Sequence, residues 1–347
     1  MKFFKVEDFS KKLVQWQKKH GRHDLPWQKN RTAYRVWLSE IMLQQTQVAT
    51  VIHRYDQFLK RFPTVQALAS ASVDEVLAEW SGMGYYTRAR NLHRCAQVVV
   101  KEYQGVFPRD PELLESLPGI GKSTAAAIAV FAYDVPAAIL DGNVKRVLAR
   151  IWGIQEDLAK SSQVKLLWAH AENLLPHNES DLVAYTQGLM DFGATACTPN
   201  QPACMSVPKK FCPFESNCQA KKKNLVKAIP LKVRKVKVTQ KDLTWWVLIC
   251  RRKVLLEKRC QQGIWEGLWC FPEELSFEPK NYQALLPIRH LLTHQRLNIQ
   301  PKQVILERQS RPINQQQWFD LSELDQLAMP KPMTDFLRNL TLTLDGE

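Results

Sequence analysis

A chain of 347 residues with 45% apolar content is long and apolar enough for two packed domains, which argues against disorder. Its formal net charge of +14 favours polyanionic partners, either nucleic acid or an anionic membrane surface. No apolar run approaches the about 18 residues of a membrane span, and the start MKFFKVEDFSKK lacks a signal-peptide core. The expectation is a soluble, cytoplasmic, monomeric protein, nucleoid-associated if bacterial. Its eight cysteines then serve as metal ligands or buried thiols rather than disulfides.

In chain order, a helix is predicted from Val6 to about His20, with Phe9, Leu13, Val14 and Trp16 apolar and Gly21 ending it. Leu25-Pro26-Trp27 precedes a second periodic stretch, Val36–Thr50, which has no Gly or Pro and reads as one helix. Glu40 stands there among Trp37, Ile41 and Leu43. Burial of such a carboxyl raises its pKa and makes it a general acid near neutral pH; taken alone, an exposed helical Glu is the plainer reading. The following Gln44-Gln45-Thr46-Gln47 adds paired donors and acceptors suited to base edges.

Tyr55–Gln104 stays helical, with breaks at Phe62-Pro63 and Ser81-Gly82. Gly82 and Gly84 lead into Tyr85-Tyr86, a turn that either packs core tyrosines or presents a ring outward. Leu117-Pro118-Gly119-Ile120-Gly121 reads as a hairpin between helices. Its glycines expose backbone N–H groups at the start of a helix running from Ser123 to about Tyr133. Such groups bind phosphate without reading sequence, so Gly119, Gly121 and Lys122 are expected at the DNA backbone. Asp141 precedes Gly142-Asn143 and another helix; Asp caps helices well, and capping is compatible with a catalytic role.

Cys197, Cys204, Cys212 and Cys218 are separated by six, seven and five residues. Loops can gather four such thiols around an iron–sulfur cluster or a zinc ion. Lys209 and Lys210, inside the middle gap, suit a basic DNA-facing loop. KKKNLVKAIPLKVRKVK, Lys221–Lys237, reads as a basic tether, solvated or touching phosphate. Beyond it the periodicity changes: Thr244–Cys250, Lys253–Lys258 and Asn298–Leu306 read as strands.

WLSEIMLQQTQV, together with LPW, GMGYYTRARNLH, LPGIGKSTA, ILDGNVKRVLAR and the cysteine run, resembles the adenine DNA glycosylases of the MutY type, within the helix-hairpin-helix glycosylase superfamily. The resemblance is strong over about two thirds of the chain and weak beyond it. It implies an all-α, two-lobed helix-hairpin-helix core over 1–222 with an iron–sulfur loop at 197–218, a basic linker over 223–239, and an α+β Nudix-like lesion-recognition domain over 240–347. It implies a general-acid Glu40, a carboxylate Asp141 beside the sugar, and a neighbouring active-site Asn143. Leu25 and Trp27 would line an adenine pocket, Leu43 and Thr46 would contact the extruded nucleotide, and Gln187 would meet the adenine edge. Gln45 and Tyr85 would enter the base stack. Ser123 stands where bifunctional relatives carry a nucleophilic Lys, which implies a monofunctional enzyme.

Thr293 and His294 match a loop that touches 8-oxoguanine, with Leu292 replacing the usual Phe. The four cysteines match the ligands of a 4Fe–4S cluster, but the middle gap is five residues longer than the pattern. The implied partner is double-stranded DNA carrying adenine opposite 8-oxoguanine or guanine. Glu273, Glu274 and Glu278 do not form the acidic helix of a nucleotide hydrolase. A DNA-binding protein without activity, an 8-oxo-dGTP hydrolase, and a pyrimidine or thymine-mismatch glycosylase are the competing readings. An assay of adenine release separates the first, phosphate release the second, and duplexes carrying T·G or oxidised thymine the last.

Overall fold

The computed structural model describes residues 6–208, 210–231, 238–260 and 263–344. Lys209 and residues 232–237 of the expected tether lie outside them. The chain packs as two units, one joining Met1–Asp56 to Cys95–Arg234, the other joining Gln57–Arg94 to Lys235–Glu347. The helical core expected over 1–222 therefore spans both.

In chain order the helices are α1 (Val6–His20), α2 (Ala33–Leu43), α3 (Val48–Arg61), α4 (Val65–Ser70), α5 (Val73–Glu79), α6 (Thr87–Tyr103), α7 (Pro111–Glu115), α8 (Lys122–Tyr133), α9 (Gly142–Trp152), α10 (Ser161–Asn173), α11 (Leu182–Asp191), α12 (Gln219–Lys222) and α13 (Lys331–Leu344). In the first unit, α1 buries Phe9, Leu13 and Trp16, spaced to fall on one helical face. Phe9 stacks on Phe214, and Trp16 meets Phe192 edge to face. The core continues through Val144, Val147, Leu148 and Ile151 of α9.

The stretch expected as one helix over Val36–Thr50 is two. α2 ends at Leu43, Gln45 has φ +55, and α3 starts at Val48. The Leu43 carbonyl accepts from Thr46 N–H at 3.3 Å, so the four polar residues form a turn. No Gly or Pro marks this break; a Gln in the left-handed region makes it, at a cost that only the surrounding structure offsets.

The second unit holds a mixed sheet of β1 (Thr239–Cys250), β2 (Lys253–Lys258), β3 (Trp269–Cys270), β4 (Gln283–Ala284), β5 (Ile288–Leu291), β6 (Gln295–Ile305) and β7 (Gln316–Asp320). Its path is β3-β2-β1-β6-β4, with β5 on β6 and β7 on β2. β1 and β6 run parallel, with Thr239 opposite Gln295 and Ile249 opposite Ile305; the other pairs are antiparallel. Leu243, Trp245 and Val247 alternate inward along β1. Within this unit Lys258 holds Asp74 at 2.5 Å, Arg90 holds Glu266 at 3.1 Å, and the Tyr86 hydroxyl donates to the Met329 carbonyl. Among the described residues no helix is long and apolar enough to cross a membrane.

Candidate active site

A cavity of about 690 Å³ opens in the first unit. Ten residues singled out from the sequence line it together: Leu25, Trp27, Glu40, Leu43, Gln45, Thr46, Ser123, Asp141, Asn143 and Gln187. α2 supplies Glu40 and Leu43, the broken turn after it supplies Gln45 and Thr46, and a short 3₁₀ turn holds Trp27 edge-on to Tyr55 at 5.7 Å.

Glu40, half-buried as a residue, turns its carboxyl to this cavity. Loss of hydration, and secondarily the charge of Asp141, push its pKa up to about 8. Asp141 caps α9, its Oδ1 accepting from Val144 N–H at 2.7 Å. The cap and the proximity to Glu40 coexist because one carboxylate oxygen satisfies the helix end.

Sequence reasoning missed the cations. Arg22, Arg31 and Arg146 also line the cavity. Arg146, buried on α9, donates to the carbonyls of Cys197 (2.9 Å) and Gly193 (2.6 Å) and to Asn143 Oδ1 (2.9 Å). The Asn143 oxygen is thus engaged, and its NH₂ group is the one left to serve the cavity. A π-helical turn, Phe192–Ala196, brings Gly193 against Asn143; a Cβ on Gly193 would lie 2.7 Å from that of Asn143. Arg22 pairs with the fully buried Asp191, which also receives Gln187 Nε2 at 3.0 Å. The available signal was an Arg at an otherwise apolar helix position, as at Arg146 and Arg150 among Val147, Leu148 and Ile151.

The remaining expected residues are not among those that line the cavity. At the hairpin, Gly119 has φ +77, and Gly121 opens α8 with no side-chain cap, leaving N–H groups at that end for an anion. Lys122 is turned to α10, pairing with Glu172 at 3.0 Å and lying over the Trp168 ring at 4.2 Å. Ser123, one residue on, faces the cavity and accepts from Leu140 N–H.

In the second unit Tyr85 has φ +50 and is 47% exposed. Arg88 lies over its ring at 5.7 Å and donates to the Met83 and Gly84 carbonyls, which braces the turn. The Tyr85 hydroxyl shares a hydrogen bond of 2.6 Å with Thr293 Oγ1. Leu292, Thr293 and His294 form the tip between β5 and β6, where Thr293 and His294 are exposed.

Cys197, Cys204, Cys212 and Cys218 line one small cavity with Arg150 and Lys221, and none is in a disulfide. Burial first, then one another's proximity, raises the Cys204 and Cys212 thiols. Arg150 donates to the carbonyls of Thr198, Pro199 and Ile229 and to Cys197 Sγ, so it shapes the loop. Among the described residues no three of His, Cys, Asp and Glu stand close enough to grip one ion as they are. In number, chemistry and flanking charge the four thiols fit a tetrathiolate group.

Residues 38–172 match the model of the HhH-GPD superfamily of base excision DNA repair proteins, and residues 244–339 match that of the NUDIX domain. The adenine DNA glycosylase of Buchnera aphidicola subsp. Baizongia pistaciae is 36% identical over 96% of each chain. That of Rattus norvegicus is 44% identical over 62% of this chain and 42% of its own. Among solved structures, a thermostable thymine-DNA glycosylase superposes with a TM-score of 0.55 at 29% identity, covering 63% of this chain and 97% of its own. An endonuclease III–DNA complex, at 21% identity and a TM-score of 0.52 over 64% of this chain and 99% of its own, shares the fold.

Proposed function

The chain belongs to the adenine DNA glycosylases of base excision repair, and from that premise we propose that its substrate is adenine opposite 8-oxoguanine or guanine in double-stranded DNA. The observation that carries the mechanism is a carboxyl that keeps its proton to about pH 8, Glu40, sharing one cavity with Asp141.

Adenine leaves poorly as an anion. Glu40 gives its proton to the base, at N7 by resemblance to the family. The C1′–N9 bond then breaks with its electron pair going to the base. The oxocarbenium-like sugar is met by the Asp141 carboxylate, by charge or by transient addition, and water completes the abasic site. Two carboxyls held in different protonation states divide the work as in glycoside hydrolysis. Trp27, Leu25 and Leu43 wall the extruded base, Asn143 offers its NH₂ group, and Gln187 meets the adenine edge. Gln45 and Tyr85 enter the stack, and the hairpin N–H groups of Gly119 and Gly121 hold phosphate. With Ser123 at the cavity and Lys122 engaged by Glu172, no amine among the described residues lines the cavity, which supports a monofunctional enzyme. Borohydride trapping should give little adduct.

The 2.6 Å bond between Tyr85 and Thr293 supports a lesion-reading role for the β5–β6 tip, because it joins the expected wedge to the expected reader. A hydroxyl can accept from the N7–H that distinguishes 8-oxoguanine from guanine. Cys197, Cys204, Cys212 and Cys218 would hold a 4Fe–4S cluster. When bound it cross-links the 197–218 loop and so contributes folding energy. Freshly purified protein should then absorb near about 400 nm, where thiolate–iron charge transfer falls; zinc in its place would leave it colourless. We further infer a monomeric, cytoplasmic protein with a core over 1–222, a linker over 223–239 and a reader over 240–347.

Duplexes carrying A·8-oxoguanine, A·G and T·G test this under single turnover. Release of adenine from the first two is expected. Preferential release of thymine would transfer the chain to the thymine-mismatch reading.

A further inference from the structure

Asp191 is fully buried at the end of α11, behind the cavity rather than in its wall. Its Oδ2 accepts from the Arg22 backbone N–H at 2.9 Å. Its Oδ1 accepts from Arg22 Nε at 2.8 Å and Nη2 at 2.7 Å, and from Gln187 Nε2 at 3.0 Å. Both partners line the cavity. An ionised carboxylate only accepts hydrogen bonds. Asp191 therefore fixes the Gln187 amide with its nitrogen inward and its carbonyl oxygen left for the cavity. The same carboxylate holds the Arg22 guanidinium, a group of donors only, beside that acceptor.

We propose that Asp191 is a positioning residue that makes the cavity selective for a 6-aminopurine, by locking an acceptor, the Gln187 carbonyl, next to a donor, the Arg22 guanidinium. On either edge of adenine an accepting ring nitrogen lies beside the donating amino group, matching this pair. Guanine and hypoxanthine carry an oxygen at the same carbon, and it would face the Gln187 oxygen. A lone-pair clash of that kind discriminates strongly, because the buried acceptor loses its partner as well as meeting a like charge. The proposal rests on the adenine glycosylase reading and adds how the selectivity is enforced.

The test compares single-turnover excision of adenine and of hypoxanthine, each opposite 8-oxoguanine, in wild type, Asp191→Asn and Gln187→Met. In Asp191→Asn one of the two oxygens becomes NH₂: at the Oδ1 place it turns the Gln187 amide over but faces the Arg22 guanidinium, and at the Oδ2 place it faces the Arg22 backbone N–H, so either placement loosens the acceptor–donor pair. The adenine-to-hypoxanthine rate ratio should fall at least tenfold in Asp191→Asn, chiefly through lost adenine excision. It should also fall in Gln187→Met, which removes the acceptor and keeps the side-chain length. An equal loss on both bases in Asp191→Asn, with its melting temperature near wild type, makes Asp191 a structural brace and overturns the proposal. If Asp191→Asn does not fold, Gln187→Met decides, and an unchanged ratio there overturns it. If wild type excises neither base, the glycosylase reading fails by itself. Calorimetric titration with free adenine and free hypoxanthine then decides the clamp on the same variants: a wild-type preference for adenine that they lose supports it, and equal affinities overturn it.

Discussion

The cavity around Glu40 and the tip around Thr293 use polar side chains in opposite ways. At the cavity, charges are withdrawn from water and tied into networks: Asp191 to Arg22 and Gln187, Arg146 to Asn143 and Gly193. Desolvation there is what keeps the proton on Glu40. At the tip, Tyr85 and Thr293 meet in solvent, and no burial amplifies their hydrogen bond. A change in the cavity should therefore act on the chemical step or on the fold, and one at the tip only on a small binding preference.

The largest effect should come from Glu40→Gln. A carboxamide has no proton to give, so adenine release should fall by about 10²–10⁴-fold while mismatch binding persists. A single-turnover rate near wild type would remove Glu40 from the acid role and erase the contrast. Arg146→Ala is next. It strands the buried Gly193 carbonyl and the Asn143 oxygen and leaves the Cys197 carbonyl only Arg150 Nη1 at 3.4 Å, and should cost about 2–4 kcal/mol in urea denaturation. A loss under about 1 kcal/mol would mean that water replaces the guanidinium, and that the cavity is less dry than its burial implies.

A pH series sharpens the same point. Glu40 is raised from 4.5 to about 8 in the fold. The unfolded chain therefore loses this proton first as pH rises, while the native state still holds it. The stability associated with the protonated group is whole below about 4.5 and is lost as pH climbs towards 8, at up to about 1.4 kcal/mol per pH unit. Glu40→Gln lacks that slope, so the variant should gain on wild type between about pH 5.5 and 7.5. Parallel curves would place the carboxyl in water. Wild-type excision should likewise decline above about pH 8 as the acid ionises.

The smallest effect is expected at the tip. Thr293→Ala with His294→Ala should weaken binding to A·8-oxoguanine by roughly 1 kcal/mol per lost hydrogen bond and leave A·G nearly unchanged. Equal losses on the two duplexes would give the tip general affinity only. Point changes are the cleaner test. Deleting 240–347 would also strip Asp74, Tyr86 and Arg90 of their partners Lys258, Met329 and Glu266.

Much of the cavity was legible in the sequence through resemblance to a family whose motifs carry these residues; residue chemistry alone left Glu40 an exposed helical Glu and Asp141 a helix cap as the plainer readings. Leu25, Trp27, Glu40, Asp141, Asn143 and Gln187 line one cavity, as do Gln45, expected in the base stack, and Ser123, singled out only for the Lys it replaces. The break at Gln45 was not legible, because periodicity favours continuing a helix through any run free of Gly and Pro, and only the tertiary surroundings hold a Gln at φ +55. Lys122, expected at phosphate, pairs with Glu172 and lies over Trp168, fifty and forty-six residues away in sequence, contacts that no local pattern records.

By itself the sequence determined the order of elements, the helical-then-sheet division, the candidate acid and its partner carboxylate, and the four thiols. The division follows from local rules of period and capping, which act over a turn or two of chain, and the pairing of acid with carboxylate from resemblance to the family. Tertiary structure alone decided which cations line the cavity, that Glu40 loses enough water to keep its proton, and that residues 57–94 pack in one unit with the C-terminal sheet. Desolvation and long-range pairing depend on groups that are remote in sequence. The Arg22–Asp191 pair spans 169 positions and the Tyr85–Thr293 bond 208, and no local pattern records either.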